Sequence, residues 1–125
     1  MKPLARFSER VQRELGFPEE SVSVCFVSDL AMARMNRKFR AKQGPTDVLS
    51  FPTDSTEPEF AGYLGDLIIS AETAAHDAQE LGLTFEVELR MLIIHGLLHL
   101  CGYDHETDRG AMSRLENRLR EQLLR

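Results

Sequence analysis

The sequence predicts an α+β fold, a small mixed β-sheet packed with helices, over one domain covering residues 1–125. Three observations lead there. Apolar residues recur at three- and four-residue steps in five stretches, while β-branched residues gather in three short ones. Gly, Pro, Ser and Asp stand between most of these stretches as turn formers. A length of 125 residues, set against about 150 per domain, allows one core and excludes a multidomain enzyme.

Pro3, followed by Leu4, Phe7, Val11 and Leu15 on one stripe and then by Gly16 and Pro18, predicts a helix over 3–15. Residues 21–28 alternate as a strand does, with Val22, Val24 and Phe26 on one side. Asp29 is the expected cap of a helix ending near Arg40, with Met32, Met35 and Phe39 on one face. Residues 42–46 read as a turn, and 48–51 as a strand closed by Pro52. A strand, a helix and a strand in this order suggest a right-handed parallel crossover. Residues 52–62 are expected as an exposed loop. Residues 64–70 predict a third strand, with Ser70 capping a helix over 71–81 and Gly82 ending it. Thr84 caps a central helix over 85–101, whose Glu86 and Glu88 sit near the positive end of its dipole. Its apolar residues run nearly all round, so it must be buried. Thr107 is the expected cap of a last helix striped by Met112, Leu115, Leu119 and Leu123, with Glu116 four before Arg120.

Composition narrows the function. The chain is 42% hydrophobic and 28% charged, inside the globular range and outside the disordered one. Its two cysteines, Cys25 and Cys101, build no disulfide framework, and no leader-like segment opens the chain, so a cytoplasmic location is expected. The longest apolar run, 91–101, holds 11 residues against about 20 for a bilayer span, so no membrane segment is expected. A net charge of −5 argues against coating nucleic acid by bulk charge. The distribution says more: residues 30–46 hold five bases and no acid, whereas 47–88 hold ten acids and no Lys or Arg. Arg34, Arg37, Lys38, Arg40 and Lys42 can form a basic face for RNA, against the plainer reading of a solvated helix face.

The strongest chemical signal is three of the four histidines within eleven residues, 95–105. His95 and His99 are four apart, so on a helix both imidazoles leave one face about 5 to 6 Å apart. Gly102 is placed to end the helix and turn His105 back, closing a tripod. The spacing matches the zinc motif H-E-x-x-H-x-x-G-x-x-H of metzincin peptidases except at Gly96, which fills the glutamate slot. Two core histidines bonded to carbonyls are the plainer alternative, but each would need a partner or cost about 1–3 kcal/mol. Three neutral imidazoles suit one Zn2+ per chain, with nickel, cobalt or iron as alternatives, and leave a position open for water. The metal site is thus zincin-like, on the central buried helix. His76 is expected on the surface, Cys101 in the core, and Asp104 as an acceptor that orients a ligand or as a turn former.

Gly96 cannot serve as the base that a zinc peptidase needs, which disfavours amide substrates. A metal can still bring its water to a pKa of about 7, which suits a phosphodiester. The charge gathering on the phosphate calls for a guanidinium, and Arg40, at the end of the basic helix, is the candidate.

At this point the chain resembles the YbeY family of bacterial endoribonucleases, or rRNA maturation factors. Three blocks carry the resemblance: Asn36, Phe39, Arg40 and Lys42 with 45–52; Leu64, Gly65 and Asp66 with Ile69 and Ser70; and 95–105 with Met112 and Glu116. It departs at Ala41, where glycine commonly follows the arginine, and in a short 52–62 loop. The resemblance implies a zinc-dependent enzyme cutting single-stranded RNA in 3′-end maturation of the small-subunit rRNA precursor and in ribosome quality control, with the ribosomal small subunit and its assembly factors as partners. It matches His95, His99 and His105 to the zinc ligands, Arg40 to an essential arginine, and Asp66 to an aspartate of the site region or of a ribosomal-protein contact. Arg40 and His95 are the candidate catalytic residues. The alternatives are a non-enzymatic assembly factor with a structural zinc, and a zinc hydrolase of other substrates.

Overall fold

A computed structural model of the chain describes residues 2–17, 22–40, 47–52, 64–101 and 110–124. The described residues form α1 (Lys2–Glu14), β1 (Val22–Val27), α2 (Asp29–Arg40), β2 (Val48–Pro52), β3 (Gly65–Ser70), α3 (Ala71–Leu81), α4 (Phe85–Leu100) and α5 (Ala111–Leu123). This is the expected α+β arrangement. The local signals act where the sequence places them: Ser70 Oγ accepts from Thr73 N–H at 3.3 Å, and Thr84 Oγ1 from Val87 N–H at 3.1 Å. Gly82 is the C-cap of α3.

Two helix starts differ from expectation. Ser28, not Asp29, caps α2, its hydroxyl accepting from Ala31 N–H at 3.2 Å. The Asp29 carboxylate instead accepts from the hydroxyls of Ser70 at 2.5 Å and Thr73 at 2.6 Å, tying α2 to the start of α3. Those bonds hold its carboxyl below the ordinary aspartate value. The last helix begins at Ala111, because Gly110 at φ 89 lies outside helical backbone space and has no side chain to cap with. The expected cap, Thr107, lies outside the described residues, as does the 53–62 part of the expected loop.

The sheet order is β1-β3-β2, with β1 parallel and β2 antiparallel to β3. The expected β1–α2–β2 parallel crossover is therefore not formed. β2 and β3 are sequential strands, which usually pair, and their pairing occupies one edge of β3 and leaves the other for β1. Gly65 makes the close fit possible. It adopts φ +147, and a Cβ there would fall 2.2 Å from Phe51 O. Pro52 pairs with Gly65 at the end of β2, which among the described residues is an edge strand, the setting in which a sheet accommodates proline.

α4 runs through the middle of the core. It packs against α1, α3, α5, β2 and β3, and Leu89, Ile93, Ile94, Leu97 and Leu98 are almost wholly out of solvent. Each such side chain contributes about 1.5–3 kcal/mol by burial. Leu4, Phe7 and Val11 of α1, Leu67 and Ile69 of β3, and Met112, Leu119 and Leu123 of α5 complete the cluster. No helix among the described residues is long and apolar enough to cross a membrane.

Candidate active site

His95 and His99 lie one turn apart on α4 and are its half-buried residues near the C-terminal end, where neighbouring positions are buried. Their rings meet edge to face, with centroids 4.6 Å apart at 78°. The two Nε2 atoms converge to 3.1 Å. Two nitrogens bound at about 2.0–2.1 Å to a tetrahedral ion stand about 3.3–3.4 Å apart, so this pair nearly has the span of two metal ligands.

Behind the pair stands a residue whose role the sequence does not announce. Glu116 of α5 places Oε1 and Oε2 at 3.1 and 3.2 Å from His95 Nδ1. Arg120, four residues on, donates to Glu116 Oε1 at 2.8 Å. Burial pushes the Glu116 carboxyl up, but His95 and Arg120 outweigh it and the net direction is down. An ionised Glu116 accepts Nδ1–H from His95 and so turns the Nε2 lone pair toward His99. A carboxylate behind an imidazole is the arrangement that fixes the tautomer of a metal-binding histidine. The signal was in the pattern: Glu116 falls on the Met112, Leu119 and Leu123 stripe, and it is only 8% exposed.

Position 96 explains the missing glutamate. A Cβ there would lie 2.6 Å from Leu67 Cδ2 and 3.2 Å from Cδ1, so it would strike the sheet. Ser50 Oγ also donates to the Gly96 carbonyl at 3.3 Å, drawing β2 onto the same turn of α4. The residue after His95 thus faces β3 at a contact that a side chain could enter only by displacing Leu67.

The other expected site residues are spread more widely. Arg40 is the last residue of α2, and Arg34, Arg37 and Lys38 are exposed on that helix. Asp66 alternates with Leu67 on β3, which puts it on the sheet face away from α4. His105, Asp104 and Lys42 lie outside the described residues. His76 is a surface residue with its side chain 70% exposed, 3.7 Å from Asp77 and Glu80. Cys101 closes α4, and burial pushes its thiol up, away from the thiolate a metal would need.

Comparison with known proteins extends these local findings to the chain. The family model described as Endoribonuclease YbeY matches residues 2–124. A protein of Geobacter metallireducens named Endoribonuclease YbeY is 43% identical over 115 residues, covering 89% of this chain and 75% of the relative. One of the same name from Solibacter usitatus is 43% identical over 122 residues, covering 96% of this chain and 77% of the relative. The solution structure of TM1509 from Thermotoga maritima superposes with a TM-score of 0.64 at 30% identity, covering 98% of this chain and 79% of that one.

Proposed function

This chain belongs to the YbeY endoribonuclease family, and on that premise we propose that it is a zinc-dependent endoribonuclease, specific for single strands, acting in 3′-end maturation and quality control of small-subunit ribosomal RNA. The observation that carries the reading is the Nε2 pair 3.1 Å apart on α4, with Glu116 behind one of its rings. Those two nitrogens suit two corners of a tetrahedral site, and His105 is the third ligand of the proposal. When bound, the ion supplies Lewis acidity toward a phosphoryl oxygen and a lowered pKa for coordinated water.

The protein's own groups then divide the remaining work. His95 holds its proton on Nδ1 against Glu116, so the ring keeps one tautomer and one orientation. The Gly96 contact with Leu67 keeps a carboxylate base out of the adjoining position, which disfavours amide substrates, whose leaving amine must be protonated. Arg40 binds the phosphate whose charge grows in the transition state. Arg34, Arg37 and Lys38, exposed on the same helix, hold neighbouring phosphates together with Lys42. Asp66, on the far face of the sheet, suits a contact with the ribosomal small subunit or its assembly factors, and Asp104 an orienting role beside His105. An unpaired strand can bend toward a recessed site, whereas an A-form duplex holds its phosphates on a wide cylinder.

A side-by-side assay tests this reading, with chelator-stripped and zinc-reloaded protein on unstructured RNA, perfect duplex and casein-like peptides. Zinc-dependent cleavage of the unstructured RNA alone is expected. Peptide cleavage with inert RNA would instead assign a hydrolase of other substrates. Salt-sensitive RNA binding without zinc-dependent cleavage would assign a non-enzymatic assembly factor.

A further inference from the structure

Glu88 lies seven residues before His95 on α4, within about 20° of the same face and about 10 Å nearer the N-terminus. It is only 4% exposed, an unusual place for a carboxylate. Its buried Oε2 has no hydrogen-bond partner among the described residues. Two more acids turn toward it. Asp47, just before β2, and Asp77, on α3, each bring a carboxylate oxygen, and the three oxygens lie within 4.8 Å of one another. Burial pushes the Glu88 carboxyl up, and the charges of Asp77 and Asp47 add to that push. Arg120 opposes it electrostatically, but its terminal nitrogen donates to Glu116. A shared proton could join one pair of these oxygens, yet the third carboxylate would still face them. A cation satisfies all three at once.

We propose that Asp47, Asp77 and Glu88 bind one hard divalent cation, of the magnesium, manganese and calcium class, at a site separate from the histidine pair. The donor set selects the ion: three carboxylates with water completing the shell suit hard cations, whereas imidazoles suit zinc. The span agrees. Opposite oxygens stand about 4.2 Å apart around magnesium and about 4.6–5.2 Å around calcium. A two-metal clamp needs ions about 3.5–4 Å apart, so a cation some 10 Å along the helix takes no part in phosphodiester chemistry at the histidines. It ties the start of β2 and α3 to the first turns of α4. This inference does not rest on the endoribonuclease reading.

The test uses the full chain, stripped with chelator and given one equivalent of zinc to occupy the imidazoles, then titrated with Mn2+ while free Mn2+ is followed by electron paramagnetic resonance. One saturable site is expected, with a Kd on the order of 10⁻⁴ M, displaced by excess Mg2+ or Ca2+. Glu88→Gln, nearly isosteric, should weaken it at least tenfold and abolish the rise in Tm that Mn2+ gives the parent. Asp77→Asn, at a half-buried position, is a second variant with the same expected loss, and His95→Ala should keep the site. The absence of a saturable Mn2+ site in the parent, an unchanged site in Glu88→Gln and Asp77→Asn, or loss of the site in His95→Ala would each overturn the proposal.

Discussion

Replacing Gly96 with alanine sets two opposed effects against each other on α4. Alanine is the better helix former by about 1 kcal/mol, so on an open face Gly96→Ala would stabilise. Here the added methyl lands 2.6 Å from Leu67 Cδ2, with Cδ1 at 3.2 Å and Cγ at 3.5 Å. Ordinary carbon contacts are about 3.5–4.0 Å, so Leu67 must yield by about 1 Å. Leu67 is fully buried, and a core at crystal-like density has little room for it to turn. Overpacking of this kind costs about 1–3 kcal/mol. The net expectation is a loss of about 1 kcal/mol, or about 4 °C in Tm for a chain of this size. Thermal and urea unfolding of the chelator-treated protein measure it. In a Leu67→Ala background the same change should become stabilising, because the methyl then has space. A Gly96→Ala protein that melts higher than its parent would refute the close approach of α4 to β3, and with it the reason no base follows His95.

Glu116→Gln keeps the shape behind His95 but removes the charge, and should weaken zinc binding about 10- to 100-fold, read by competition with a chromophoric chelator. Asp29 is held below its ordinary pKa first by Ser70 and then by Thr73. Its stabilisation is therefore present above the unfolded value near 3.9 and is lost as pH falls through the folded one. Asp29→Asn should flatten that acid limb in urea unfolding across pH 2–6, and an unchanged pH profile would contradict it. Arg40→Ala should cut turnover about a hundredfold at saturating RNA, with Arg40→Lys rescuing only in part; weaker binding at unchanged turnover would make Arg40 a docking residue.

What the sequence made legible was local. Ser70, Thr84 and Gly82 act through neighbours within a few residues, and the four-residue step from His95 to His99 needs only helical geometry. The strand order was not legible in this way. Whether β2 joins β1 or β3 depends on contacts such as Ser50 with Gly96 and Gly65 with Phe51, which join residues far apart or hinge on one glycine at φ +147. The sequence points to Glu116 beside Arg120 and in the family resemblance, but not to its place behind His95, a partner 21 residues away on another helix. The only local trace of that place is an acid in an apolar stripe, and Glu88 on the buried face of α4 carries the same trace. Gly96 looked like an emptied catalytic slot, while the structure shows a packing position. A motif gives the spacing of side chains along a helix but not what presses on it from outside.

The central claim is that the converging imidazoles are two of three nitrogen ligands to one zinc. Zinc-edge X-ray absorption on protein loaded with one equivalent measures that shell directly. Three nitrogen ligands at about 2.0–2.1 Å are expected, reduced in His99→Ala. A shell of oxygen ligands alone, or a nitrogen shell unchanged in a His95→Ala, His99→Ala double variant, would contradict it.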